Sequence, residues 1–433
     1  MLSVALPYHL KVRDHFKEQR KTWDFFTAAG AGKEEQASFK TELLKNSYKF
    51  QPDTDLYIYD KIALAKEKLG LEGLGVTAYQ AQYTDHLNAS ITYFDQEAQL
   101  VFSGDLTQRL NGDELLAVIA HELAHVKLFS LLDGELEVAD RIITAIAGND
   151  NSQAAYHETA RLFRLYTEIY CDRGALTVLG EPTPVINMLL KIATGLSVVD
   201  AESYSKQAEE IFSISPDTQV ATPTHPENFI RSRALGLWFE KQAAAEPEIA
   251  RMIEGLPDLD RLDIFSQKEL AALTRDFLSY YLRPKWFQSA LVISLAREYF
   301  PDHPWEQPVA GGKQRPDRGD VQGRLFGGEG PVGQQPVAAE QSVPGPEPIA
   351  AKIAAAHASV KEYFAWLLLD FALADPSLEE IPSGRAFQLA EEMQLSSVYD
   401  GIAKKELQFS DKKWPGYKQQ TQAAYADIDS KED

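Results

Sequence analysis

His121-Glu122-Leu123-Ala124-His125 sets two imidazoles four residues apart, with a carboxylate beside the first. On a helix, positions i and i+4 share a face, so both rings can reach one metal ion. Glu122, turned about 100° from His121, can touch water at that ion without ligating it. Zinc accepts neutral imidazole nitrogens at about 2.0–2.1 Å and tends towards four ligands, so a third protein ligand and one open position would complete a hydrolytic site. Zinc polarises a carbonyl and brings the pKa of its water towards about 7; Glu122 would take the proton and return it to a leaving amine.

The third ligand is sought in the next long helical stretch, SQAAYHETARLFRLYTEIYCDRGALTVL. Glu168 and Asp172 again stand at i and i+4. Glu168 can complete a set of two histidines and one glutamate, and Asp172 can accept a hydrogen bond from the free nitrogen of a ligand histidine. Leu165, Ile169 and Ala175 flank the pair and argue that this face is not solvated. Spacing alone also leaves room for Glu135, Glu137, Asp140 and Glu158, for His157 as a weaker rival, and for a solvated acidic pair.

The elements that must position these residues are legible around them. ELLAVIAHELAHVKLFSLL is a helix apolar on nearly all sides, with Asn111 or Asp113 as its N-cap. Burying two histidines in it without partners would cost roughly 2–7 kcal/mol each. Upstream, residues 8 to 48 read as helices, Asp55–Tyr59 (DLYIY) as a short strand, and KIALAKEKLG as a helix. GVTAYQAQY, ASITYF and AQLVFSG read as strands, with Asp95-Gln96-Glu97 as a hairpin turn. A small sheet followed by helices predicts an α+β domain, mostly helical.

With these residues in view, the chain resembles the gluzincin peptidases that include the CAAX prenyl proteases and the HtpX heat-shock protease. Four parts match in order: Asn88-Ala89 opening a strand, then AQLVFSGDL; Asp113-Glu114-Leu115 leading through AVIA into HELAH; Glu168-x-x-x-Asp172; and Thr224-His225-Pro226 followed by Arg231 and Leu235. They span roughly residues 55 to 238. The resemblance implies a zincin-type fold, one zinc ion per chain, Glu168 as third ligand and Asp172 as support for a ligand histidine. It also implies that His225 and Arg231 face the active site, where they stabilise the oxyanion or hold substrate. The strand from Asn88 and Ala89 would lie at the cleft edge and pair with substrate backbone. The chain departs from the family at Ser90–Phe94, which lack its usual small-residue pattern.

Composition sets the remaining bounds. The chain has 433 residues, 44% hydrophobic and 25% charged, enough for more than one core. A net charge of −21 argues against a nucleic-acid partner, because phosphate binding needs clustered Lys and Arg. The single cysteine, Cys171, excludes an intramolecular disulfide, and no base stands near it in sequence to make it a nucleophile. The N-terminus lacks the basic-then-apolar order of a secretory signal, and no uninterrupted run of about 18 apolar residues is present, so a cytoplasmic protein without a membrane anchor is expected. Asn88-Ala89-Ser90 is then a chance match to a glycosylation acceptor, and Gly30-Ala31-Gly32-Lys33 lacks the rest of a phosphate loop.

The expected organisation is a zinc metallopeptidase domain over 1–300 and a Pro/Gly-rich linker, expected to be disordered, over 301–348. A helical domain over 349–412 and an acidic, fraying tail over 413–433 follow. The third segment weakly resembles TerB-like domains through Leu367–Asp370, Ala374-Asp375 and Glu379-Glu380, although Pro376 stands where glycine is usual. The function expected is endopeptidase hydrolysis of protein or peptide substrates. The alternative is a catalytically silent, zinc-stabilised scaffold whose C-terminal bundle recruits a protein partner. The intact Glu122 speaks against that alternative, since a structural site has no need of the carboxylate.

Overall fold

The computed structural model describes residues 4–28, 33–94, 96–302 and 346–432. They form two compact units, 1–256 and 257–433.

The first unit begins with helices α1 (Pro7–Glu18), α2 (Arg20–Ala28) and α3 (Lys33–Asn46). Ser47–Lys49 then forms β1 rather than continuing the helix, and pairs antiparallel with β2 (Gly75–Ala81). The expected strand at 55–59 is instead the start of α4 (Leu56–Leu69). Its L-Y-I-Y alternation imitates a strand, but Ile58, Ile62, Ala65 and Leu69 continue as a buried stripe at helical spacing, and Gly70 ends the helix at φ 67°.

The strands β3 (Asn88–Phe94) and β4 (Glu97–Ser103) pair antiparallel, from Asn88↔Ser103 to Phe94↔Glu97. Of the expected turn, Asp95 lies outside the described residues. β2 runs parallel to β4, so the sheet order is β1-β2-β4-β3 and β3 is an edge strand.

A short helix α5 (Leu106–Arg109) leads into α6 (Gly112–Ser130), which carries the histidines. Asn111 is its cap: its side chain accepts from the Asp113 and Glu114 amides at 3.0 and 2.9 Å, while Glu114 accepts from the Asn111 amide at 2.8 Å. This reciprocal capping fixes where the helix starts, and hence the rotation of every later residue. α6 packs against α4, α8 (Ala154–Leu179), α9 (Thr183–Thr194) and β3. Leu115, Ile119 and Leu123 join one core with Ile62, Leu100, Phe102, Leu176 and Leu189. Against the expectation of no such stretch, Gly112–Ala147 holds an 18-residue window long and apolar enough, by length and composition alone, to cross a membrane. Here 61% of that window is buried inside the fold. The backbone also turns between α6 and α7 (Glu135–Ala147), with Leu132, Asp133 and Gly134 at positive φ. α10 (Ala201–Ile214), α11 (Asn228–Lys241) and α12 (Glu246–Glu254) complete the unit.

The second unit holds α13 (Ile264–Tyr281), α14 (Ala290–Tyr299), α15 (Pro346–Ala354), α16 (Ala358–Ala372), α17 (Ile381–Glu392), α18 (Ser396–Glu406) and α19 (Trp414–Glu432). Two expected boundaries move. Residues 257–300 belong here, because Phe277, Tyr281 and Phe287 pack with Phe364 and Phe371 in one core. The expected fraying tail is largely α19, which packs on α17. Of the expected linker, 303–345 lies outside the described residues, and 346–348 opens α15.

The α17–α19 contact depends on Gly384, where a Cβ would fall against the Thr421 carbonyl and the Tyr425 Cβ closer than atoms can approach. Gly384→Val is expected to destabilise this unit by about 2–3 kcal/mol through overpacking. Thermal unfolding followed by near-UV circular dichroism would show it as a lowered midpoint, and an unchanged midpoint would contradict the close approach.

Candidate metal centre

α6 presents His121 and His125 one turn apart, and α8 presents Glu168 and Asp172 one turn apart towards them. His121 Nε2 lies 3.4 Å from one Glu168 oxygen, and His125 Nε2 lies 3.7 Å from the other. On its far side, His121 Nδ1 meets Asp172 Oδ1 at 3.1 Å. Arg231 of α11 clamps Asp172 from behind, with Nε and Nη2 donating at 2.7 and 2.6 Å, and comes within 3.5 Å of Glu168. His225, just before α11, points Nε2 at Glu168 from 3.7 Å and remains largely solvent-exposed. Its Nδ1 lies 3.0 Å from Thr224 Oγ1.

The expected site residues therefore come together. His121, Glu122, His125, Glu168, His225 and Arg231 line one cavity of about 510 Å³, and Asn88 and Ala89 of edge strand β3 line it too. Arg231 differs from its expected part, because its guanidinium grips Asp172. The rival acids are engaged elsewhere. Glu135 pairs with Lys17 and Arg13, and Glu158 with Arg161; none of Glu135, Glu137, Asp140 and Glu158 lines the cavity. His157 is exposed and also outside it. Not anticipated from sequence was α9, whose Met188, Leu189, Ile192 and Ala193 form an apolar wall with Val118 and Phe129. The apolar rhythm of NMLLKIAT was the available signal.

Charge shows what the site would attract. Burial pushes the Glu122 carboxyl up to about 7, aided by the nearby Glu168 charge. Burial would lower His121, but the Asp172 and Glu168 carboxylates outweigh it and hold it up to about 10. Burial lowers His125 to about 4, leaving it a neutral donor. Against the effect of burial, His121 and Arg231 keep Glu168 well below the ordinary carboxylate range. Arg231 and His121 likewise keep Asp172 low. Three ionised carboxylates, Glu122, Glu168 and Asp172, against one guanidinium leave two negative charges, the charge a divalent cation would balance. Without a cation, protons on His121 and Glu122 supply that balance.

The donor spacing fits the same group. Ligands at about 2.0–2.1 Å in a tetrahedron stand roughly 3.3–3.5 Å from one another. His121 Nε2 and His125 Nε2 face different Glu168 oxygens, 3.4 and 3.7 Å away, each near that edge length and beyond a good hydrogen bond. Cys171 also has its sulfur within 4.8 Å of a nitrogen of both imidazoles. That bound is compatible with simple packing, and burial holds the thiol well above its ordinary pKa, disfavouring the thiolate a metal requires. Glu168, ionised and facing both imidazoles, is the better third donor.

Residues 54–238 match the model of Peptidase family M48. A curated relative, the Plastoglobule-localized metallopeptidase 48, chloroplastic, of Arabidopsis thaliana, is 28% identical over 155 residues. That alignment covers 32% of this chain and 44% of the relative, so less than half of that protein's length is spanned. No solved structure matches. The M48 segment contains every residue of the centre and all of α6, α8 and α9, and ends within α11.

Two outcomes follow from this geometry. Glu168→Gln should abolish stoichiometric zinc binding while Cys171→Ala retains it, as read by metal analysis after gel filtration; the reverse pattern would make sulfur the ligand. Zinc uptake should also release about two protons at pH 6, approaching one at pH 8 as Glu122 ionises beforehand. Calorimetry in buffers of differing ionisation enthalpy measures this, and release near zero would contradict the charge balance.

Proposed function

We propose that the M48 segment is a zinc-dependent endopeptidase. The observation that carries this reading is the convergence of two imidazole nitrogens and the Glu168 carboxylate beside Glu122, a separate, partly exposed acid lining an open cleft. His121, His125 and Glu168 would hold the ion, which when bound supplies Lewis-acid polarisation of the scissile carbonyl and acidification of water.

The chain's own residues supply the rest. Glu122, with a pKa near 7 before any cation draws it lower, is matched to accepting a proton from water and passing it to the leaving amine. Asp172 holds His121 in the orientation that turns Nε2 to the centre, and Arg231 holds Asp172 ionised. His225, exposed at the cleft mouth, is placed to donate to the developing oxyanion. The free edge of β3 at Asn88–Ile91 offers backbone groups to an extended peptide, which favours tolerance of sequence.

The second unit lies outside the family match, and we read it as the partner-recruiting part. Asp375 in its acidic turn caps the local helix through the Ser377 amide at 2.9 Å, leaving Glu379 and Glu380 to carry the TerB-like resemblance.

Glu122→Gln should retain zinc and lower peptide hydrolysis by about a thousandfold or more. Protonated Glu122 cannot accept a proton, so wild-type kcat/KM should fall as pH drops, with an apparent pKa at or below about 7. Cleavage of an internally quenched peptide library would read both. Zinc-loaded wild type that cleaves nothing would favour the silent scaffold instead.

A further inference from the structure

A buried ion pair joins the apolar wall of the cleft to the histidine-bearing helix, beside the apolar packing of α9 on α6. α9 carries Met188, Leu189, Ile192 and Ala193 on the cavity, and from the same turn Lys191 reaches Glu114 at the head of α6. The Lys191 Nζ to Glu114 Oε2 distance is 2.8 Å, and the two residues are only 8% and 2% exposed. The same Glu114 oxygen accepts the Asn111 amide that closes the α6 cap. One carboxylate therefore fixes both the start of the histidine-bearing helix and the position of the cleft wall.

A buried ion pair is a weak way to gain stability, because desolvating both charges offsets most of their attraction, and apolar residues of similar volume often do as well. What it supplies is geometry: an ammonium has few low-energy alternatives to that oxygen. Two further polar ties hold α9, Asn228 Nδ2 donating to the Leu189 carbonyl at 3.3 Å and Arg109 donating to the Gly195 carbonyl. Neither runs to α6. Among the described residues, the Lys191–Glu114 pair is the polar tie seen between the wall and the helix that holds the metal ligands, alongside the apolar packing of α9 on α6.

We propose that Lys191 is a positioning residue for substrate selection, holding α9 through Glu114 at the depth that makes the cleft accept a large apolar side chain beside the scissile bond. This rests on the peptidase reading above. Single substitutions leave a buried charge unpaired, so the informative variant is E114Q/K191M, in which Gln can still close the capping box and both charges are gone. K191R keeps the pair.

The test uses the full-length, zinc-loaded protein and two internally quenched peptides that differ only by Leu or Ala beside the cleaved bond. In E114Q/K191M the KM for the Leu peptide should rise about tenfold with kcat within about twofold, and K191R should stay near wild type. Amide exchange, read without turnover, should quicken about tenfold in residues 183–194 and not around His121–His125. Unchanged Leu-over-Ala preference with unchanged α9 exchange would overturn the proposal. So would uniform loosening of the unit, or kcat falling together with zinc content. If wild type cleaves neither peptide, the peptidase reading fails, and the exchange comparison still decides whether Lys191 fixes the wall.

Discussion

His121 lies between two carboxylates from one helix, Glu168 at 3.4 Å and Asp172 at 3.1 Å, and that arrangement organises the first unit. Glu168 and Asp172 are one turn apart on α8, so their spacing matches an imidazole's two nitrogens only if α6 and α8 pack at one separation and one rotation. The rotation of α6 is set by the Asn111–Glu114 cap, and its separation from α8 by the leucines and alanines between them. Arg231 then locks Asp172 from the third side. A buried acid without such partners would be protonated or expelled, so the polar contacts and the apolar packing stand or fall together.

The same arrangement creates a demand for positive charge. The core around α6 excludes water, which raises the cost of each unbalanced carboxylate, yet the cleft leaves Glu122 and the Nε2 atoms of the histidines on an open cavity. A divalent ion answers that demand while leaving a face for substrate. Protons answer it less well, because one of them leaves Glu122 neutral. Affinity for a cation and the ionisation of Glu122 are thus one electrostatic property, in which Asp172 and Arg231 take part.

Much of this was legible in the sequence because the decisive signals are local. H-E-x-x-H on an apolar helix, and Glu168 with Asp172 one turn apart, are statements about helical spacing, and the helices formed as that spacing requires. What escaped has physical causes. DLYIY alternates like a strand, and its helical stripe emerges only through Ile62 and Ala65, so the packing partner decided the outcome. Ser47–Lys49 is a strand only because β2 is there to pair with it. The division at 256 and the packing of α19 reflect long-range contacts, Phe277 with Phe364 and Gly384 beneath Thr421, that no window of sequence contains. Arg231 lines the cavity, but its partner Asp172, 59 residues away, could only be read from three dimensions.

The central claim is that His121, His125 and Glu168 enclose one divalent ion and leave a position open. Anomalous diffraction at the zinc edge from crystals of the zinc-loaded protein tests this most directly. A single peak within about 2.0–2.2 Å of His121 Nε2, His125 Nε2 and a Glu168 oxygen, with no fourth protein ligand, is the predicted result. A peak bonded to Cys171, or no peak between the two histidines at saturating zinc, would contradict it.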